Sequence, residues 1–167
     1  MRSRRNLTTA EGVYDCALDM LALREHGGQD MFRKLVEKGA DPGLAEETVD
    51  RLKQAGLIDE LRYADAVYRG WLDKRFYGRQ HLVMYLVKNG VEQVCQQEIL
   101  SRFSDELEAQ RAGAAAEMFC RKYAYKRFAD RRRLWSCAAA FMANRGFGAS
   151  YADVILGRFT QDFADEL

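Results

Sequence analysis

Three stretches of this chain share one reading, and they decide the fold: MFRKLVEKG at residues 31–39, LVMYLVKNG at 82–90 and AAAFMANRG at 138–146. Each places apolar residues three and four apart and then stops at a glycine, the pattern of an amphipathic helix ending where the backbone turns through positive φ. Counted back from Gly39, Gly90 and Gly146, the eighth position is Met31, Leu82 or Ala138 and the fourth is Leu35, Leu86 or Met142. Counted forward, the tenth is Val49, Leu100 or Leu156 and the thirteenth is Leu52, Phe103 or Phe159. These offsets trace one helix face before each glycine and one after it. Eighteen before the glycines stand Leu21, Leu72 and Phe128, which places a further helix ahead of each pair. The chain therefore reads as a three-helix unit present three times, at spacings of 51 and 56 residues.

Working outward, the spacing predicts helices over 11–25, 30–38, 42–55, 60–75, 79–89, 92–109, 114–129, 133–145 and 150–164. Thr8 with Glu11 and Ser150 with Asp153 have capping-box spacing, and Asp41 precedes Pro42, the one proline in the chain, at a first helical position. No β-branched run alternates with period two, so no strand is expected. The fold class read from this pattern is all-α, an elongated, curved tandem array of three three-helix repeats. A flexible tail at 1–10 would precede repeats at 11–60, 61–110 and 111–167, with residues 104–116 as the joint between the second and third.

Composition narrows the function classes. With 48% apolar and 31% charged residues in 167, the chain has the make-up of a globular domain rather than a disordered one. No apolar run is long enough to span a membrane, and the basic start has no apolar stretch behind it, so neither an anchor nor a signal peptide is read. Cys16, Cys95, Cys120 and Cys137 form no CxxC and pair with neither His26 nor His81. They read as small buried hydrophobes in a reducing, cytoplasmic setting, with no metal site. His26, beside Gly27 and Gly28, reads as an exposed loop residue. No phosphate-binding glycine loop, metalloprotease motif or nucleophile elbow is present, and no cofactor or enzymatic activity is expected.

The formal charge of +1 conceals a gradient. Residues 1–60 carry −3, 61–110 zero and 111–167 +4, while aromatics number 2, 7 and 10 in the same segments. Within 122–133, KYAYKRFADRRR, six residues are basic and one is acidic. A charge run is ordinarily a solvated helix face, but Arg131, Arg132 and Arg133 fall where a helix should begin, where cations oppose its dipole. Fifteen before each glycine stands an arginine, Arg24, Arg75 or Arg131. A regular array would line these up as a binding surface; alternatively each caps its own helix.

The segment Gly56-Leu57-Ile58-Asp59-Glu60-Leu61-Arg62-Tyr63-Ala64, then Lys74-Arg75-Phe76-Tyr77-Gly78, then Leu82, Tyr85, Leu86, Lys88, Asn89, Gly90 and Val91 resembles the RecX family of RecA regulators. Ala17-Leu18, Leu23-Arg24-Glu25-His26, Leu35 and Lys38-Gly39 are similar to the family's opening repeat, and 121–147 matches more loosely. Phe76 stands where the family usually has glycine, and Gly27-Gly28 where it usually has a serine cap, leaving Asp30 to take over capping. The resemblance implies a monomer that binds RecA and the RecA–single-stranded DNA filament, lowers strand exchange and ATP hydrolysis, and so modulates DNA repair and recombination. A weak direct DNA contact is compatible with it. It implies a structural block in which Asp59 caps a helix and Tyr63 or Ala64 packs inward. Charge and repeat position point to Arg24, Lys74, Arg75, Tyr77, Arg79, Lys122, Lys126, Arg127, Arg131, Arg132 and Arg133 as the residues that meet RecA or DNA phosphate. The other reading is a stand-alone helical-repeat DNA-binding protein.

Overall fold

The computed structural model describes residues 7–123, 128 and 130–164, the last five by backbone alone. Among these the chain is all-α: α1 (Ala10–Leu23), α2 (Gly28–Glu37), α3 (Pro42–Gln54), α4 (Glu60–Leu72), α5 (Arg79–Lys88), α6 (Gln93–Ser101), α7 (Asp105–Tyr123), α8 (Arg131–Ala143), a 3-10 turn (Ala149–Tyr151) and α9 (Ala152–Ala164). Gly39, Gly56, Gly90 and Gly146 are the residues with positive φ among those described, at 99°, 67°, 69° and 77°. Each closes a helix as the sequence pattern requires. Met31, Leu82 and Ala138, and Leu35, Leu86 and Met142, are all fully buried. Burying each of the larger aliphatic chains contributes about 2 kcal/mol, which is what holds these short helices.

The helices form two compact units, and the division falls within residues 61–110. One unit comprises the chain as far as Arg69 together with Leu86–Ile99; the other comprises Gly70–Tyr85 and the chain from Leu100 onward. In the first, Val13, Ala17 and Met20 of α1, Met31 and Leu35 of α2, and Ala45, Val49 and Leu52 of α3 close one core. Tyr63 and Ala64 are also buried, and the Tyr63 hydroxyl donates to the Asn89 carbonyl at 2.8 Å. In the second unit, Ala112, Ala115, Ala116 and Phe119 of α7 pack with Leu134, Ala138, Phe141 and Met142 of α8 and with Ile155, Leu156 and Phe159 of α9.

Caps explain where the helices start. Asp41 accepts from the Gly43 and Leu44 amides at 2.9 and 3.4 Å, and Asp59 from Arg62 N at 2.8 Å. The N-termini of α2 and α5 are capped from a distance. Gly28 N donates to Glu60 at 2.9 Å, and Arg79 N to Glu108 at 3.1 Å. Both donors lie eleven residues before their helix-closing glycine. The position before each is also glycine, because a Cβ on Gly27 would stand 2.5 Å from the Tyr63 ring and one on Gly78 2.5 Å from the Phe147 ring.

Several expectations are corrected. The predicted helix 92–109 is broken: α6 ends at Ser101, and Ser104 Oγ accepts from Leu107 N at 3.2 Å to start α7, whose first turn holds Asp105, Glu106 and Glu108. Phe103 is buried from outside α6, and Ile99 takes the buried position expected of Leu100. Residues 104–116 are therefore no joint: α7 runs through them from Asp105, with Ala112, Ala115 and Ala116 on its buried face. The helix predicted to reach residue 75 ends at Leu72, which leaves Lys74 and Arg75 in a loop. Thr9, not Thr8, caps α1, accepting from Gly12 N at 3.2 Å. Ser150 lies in the 3-10 turn rather than at a cap. Asp30 does not cap α2; Glu60 does. His26 is buried rather than exposed, because its Nδ1 lies 2.7 Å from the buried Asp30 carboxylate. The four cysteines are half-buried thiols.

Candidate partner-binding surface

The three arginines that share a repeat position occupy different settings. Arg24 follows α1 and gives its Nη2 to Asp30 at 3.1 Å. Asp30 also takes Arg33 at 2.9 Å and Lys34 at 3.1 Å. Burial alone would raise its pKa, but the donors of His26 and Lys34 outweigh that and hold the carboxyl well below the usual carboxylate range. Arg24 is thus tied into a buried acid's shell. Arg75 is exposed in the loop between α4 and α5, and Arg131 opens α8.

The α4–α5 loop is braced from beneath. The buried Arg111 of α7 donates from Nε to the Tyr77 carbonyl at 2.8 Å and from Nη1 to that of Leu72 at 3.2 Å, and Nη2 donates to the Lys74 carbonyl. Its guanidinium lies 4.2 Å from the centre of the Trp71 ring. One planar cation thus satisfies three carbonyls where α4 ends. Trp71 Nε1 donates to His81 Nδ1 at 2.9 Å, and the Tyr77 ring lies 4.1 Å from His81. Burial, with Lys74 and Arg111 nearby, depresses the His81 pKa. Gly78 N closes the loop on the Arg145 carbonyl at 2.9 Å. On this base Lys74, Arg75 and Phe76 are exposed, with the Lys74 ammonium 4.7 Å from the Tyr85 ring.

Arg79 has a different use. It donates to the Phe103 carbonyl at 2.7 Å, to that of Leu100 at 3.4 Å, to Asp105 at 3.0 Å and to Glu108 at 3.4 Å. Its guanidinium is committed to bonds within the chain, though the side chain stays 34% exposed. Lys122, near the end of α7, is exposed with its ammonium 5.4 Å from the Tyr123 ring. Lys126 and Arg127 lie outside the described residues. Arg131, Arg132 and Arg133 are exposed on the first turn of α8, where Asp130 accepts from Arg133 N at 2.7 Å.

The sequence reading missed Arg111 and Glu108, which hold this surface in place. The available signal was Arg111 standing alone before the small-residue run Ala112–Ala116, a charge on a face too small-chained to be solvated.

Residues 14–52 match the family model described as RecX, first three-helix domain. Over 84% of this chain and 87% of the relative, the sequence is 33% identical to regulatory protein RecX of Pseudomonas entomophila. The chain belongs to the RecX family. A second RecX, from Halorhodospira halophila, is 34% identical over 84% of this chain and 83% of its own. A crystal structure of regulatory protein RecX superposes with a TM-score of 0.76 at 23% identity, covering 89% of this chain and 71% of that one. This likeness places the nine α-helices described here on the RecX helical-repeat fold. The RecX proteins are regulatory proteins by name, and among the described residues no helix is long and apolar enough to cross a membrane.

Proposed function

We propose that this RecX protein binds RecA and the RecA–single-stranded DNA filament and lowers its ATP hydrolysis and strand exchange, without catalysing a reaction itself. Membership of a regulatory family carries the reading, and the braced loop supports it. A loop that presents Lys74, Arg75 and Phe76 on a fixed frame loses little entropy on docking, and its cations suit an acidic protein face or a phosphate chain. Three tandem three-helix repeats, at 11–60, 61–110 and 111–167, would let the chain meet more than one subunit of a filament.

Titration of the protein into a RecA–single-stranded DNA–ATP reaction tests this. Hydrolysis should fall with added protein, and the protein should be retained on pulled-down filaments. A folded protein that does neither would overturn the reading. The cations of α8, unpaired among the described residues, favour one second reading, direct DNA binding without RecA, which would appear as equal affinity for bare DNA with a steep salt dependence.

A further inference from the structure

The first two turns of α8 combine two features that stability does not explain. Arg131, Arg132 and Arg133 are consecutive, exposed, and make no ion pair or side-chain hydrogen bond among the described residues. Each opposes the helix dipole. One turn further on stands Trp135, 41% exposed, while the chain's other tryptophan, Trp71, is fully buried. Arg131 and Arg132 precede Trp135 by four and three residues, so both lie on its side of the helix.

We propose that Trp135, Arg131 and Arg132 form a subsite for single-stranded nucleic acid, the indole stacking on a base and the two guanidiniums taking phosphates of the strand. An acidic protein is the competing occupant, and the composition of the exposed face of α8 argues against it. A tryptophan at the centre of a protein interface sits in an apolar patch that excludes water. Among the described residues the other exposed side chains of α8 are the three arginines, Ser136, Ala140 and Ala143, and the remaining large exposed hydrophobic residues lie outside α8. A flat aromatic face among unpaired cations is the composition of a stacking platform. The proposal deepens the second reading given above, direct DNA binding, and does not depend on RecA.

The test uses the whole protein and oligothymidylate, with no RecA present. Because Trp71 is buried, quenching of indole emission by the oligonucleotide reports on Trp135. Strong quenching in the unmodified protein is expected. Trp135→Ala should weaken binding of a fluorescently labelled oligothymidylate about tenfold, and Trp135→Phe should weaken it less. Arg131→Gln with Arg132→Gln should reduce the salt slope of binding by roughly 1.4, about 0.7 for each lost phosphate contact. Binding without quenching, unchanged affinity in Trp135→Ala, or quenching by polyglutamate but not by oligothymidylate would each overturn the proposal. The quenching of the unmodified protein decides the matter even if a variant fails to fold. Loss of RecA inhibition with quenching intact would refute the RecA reading alone.

Discussion

Replacing Asp30 by Asn tests the account of the first unit most sharply. The carboxylate is 2% exposed and its partner His26 4%, so the 2.7 Å contact between them is shielded from water on both sides. A hydrogen bond to an ionised acceptor in that setting contributes about 1.5–3 kcal/mol. Lys34 is 26% exposed, and Arg24 and Arg33 are about half exposed, so each of these pairs adds well under about 1 kcal/mol. Asn relieves the desolvation of a buried charge, and the net loss comes to about 2–3 kcal/mol. For a chain of this length each kcal/mol moves Tm by roughly 2–4 °C, so a fall of roughly 5–10 °C is expected. The sign with pH follows from the depressed carboxyl. Its contribution is complete above the ordinary value of 3.8 and is lost as pH falls below that toward the lower folded value. Urea unfolding of both proteins from pH 7 to pH 2 should show a gap that is constant above about pH 5 and narrows below about pH 4. A gap under about 0.5 kcal/mol at pH 7, or one that persists unchanged at pH 2, would refute the reasoning.

Three further outcomes are expected. Gly146→Ala should destabilise by more than about 3 kcal/mol in thermal unfolding, because φ is +77° and the new Cβ would collide with the His81 backbone nitrogen; a fall within 1 °C would contradict this. Arg111→Met should leave the α7 core folded but cost about 3 kcal/mol and speed amide exchange at residues 74–78, since three carbonyls lose their donor; exchange unchanged there would remove Arg111 from its bracing role. Reversing Arg131, Arg132 and Arg133 to Glu should weaken filament binding while far-UV circular dichroism is kept and melting does not fall, since acidic side chains suit a helix start, and wild-type binding would return these residues to a solvated helix face.

What could be read from the sequence was what the backbone demands locally. Gly39, Gly56, Gly90 and Gly146 mark helix ends because the turn needs positive φ, and Asp41 and Asp59 mark starts because an amide three residues on or nearer needs an acceptor. The buried positions eight and four before the repeat glycines follow from helical period alone. Missing were the features whose partners lie far along the chain. His26 reads as a loop residue until Asp30 folds back beneath it, and Gly28 has no cap until Glu60, 32 residues away, arrives. The α6–α7 break was hidden because Phe103 satisfies the helical period from outside the helix. Of the proposed surface, charge and position picked out Arg75 and Arg131–Arg133, which the structure leaves exposed. They did not distinguish Arg79, whose donors bind Leu100, Phe103, Asp105 and Glu108, since a satisfied arginine and a free one look alike in sequence.

The central claim is regulation of RecA, and the most direct measurement is ATP hydrolysis by RecA on single-stranded DNA as this protein is titrated in at fixed salt. The account predicts a saturable fall in rate, with the protein recovered on sedimented filaments in the same samples. Undiminished hydrolysis and no recovery on filaments, from a preparation whose helicity and cooperative melting show it folded, would contradict it.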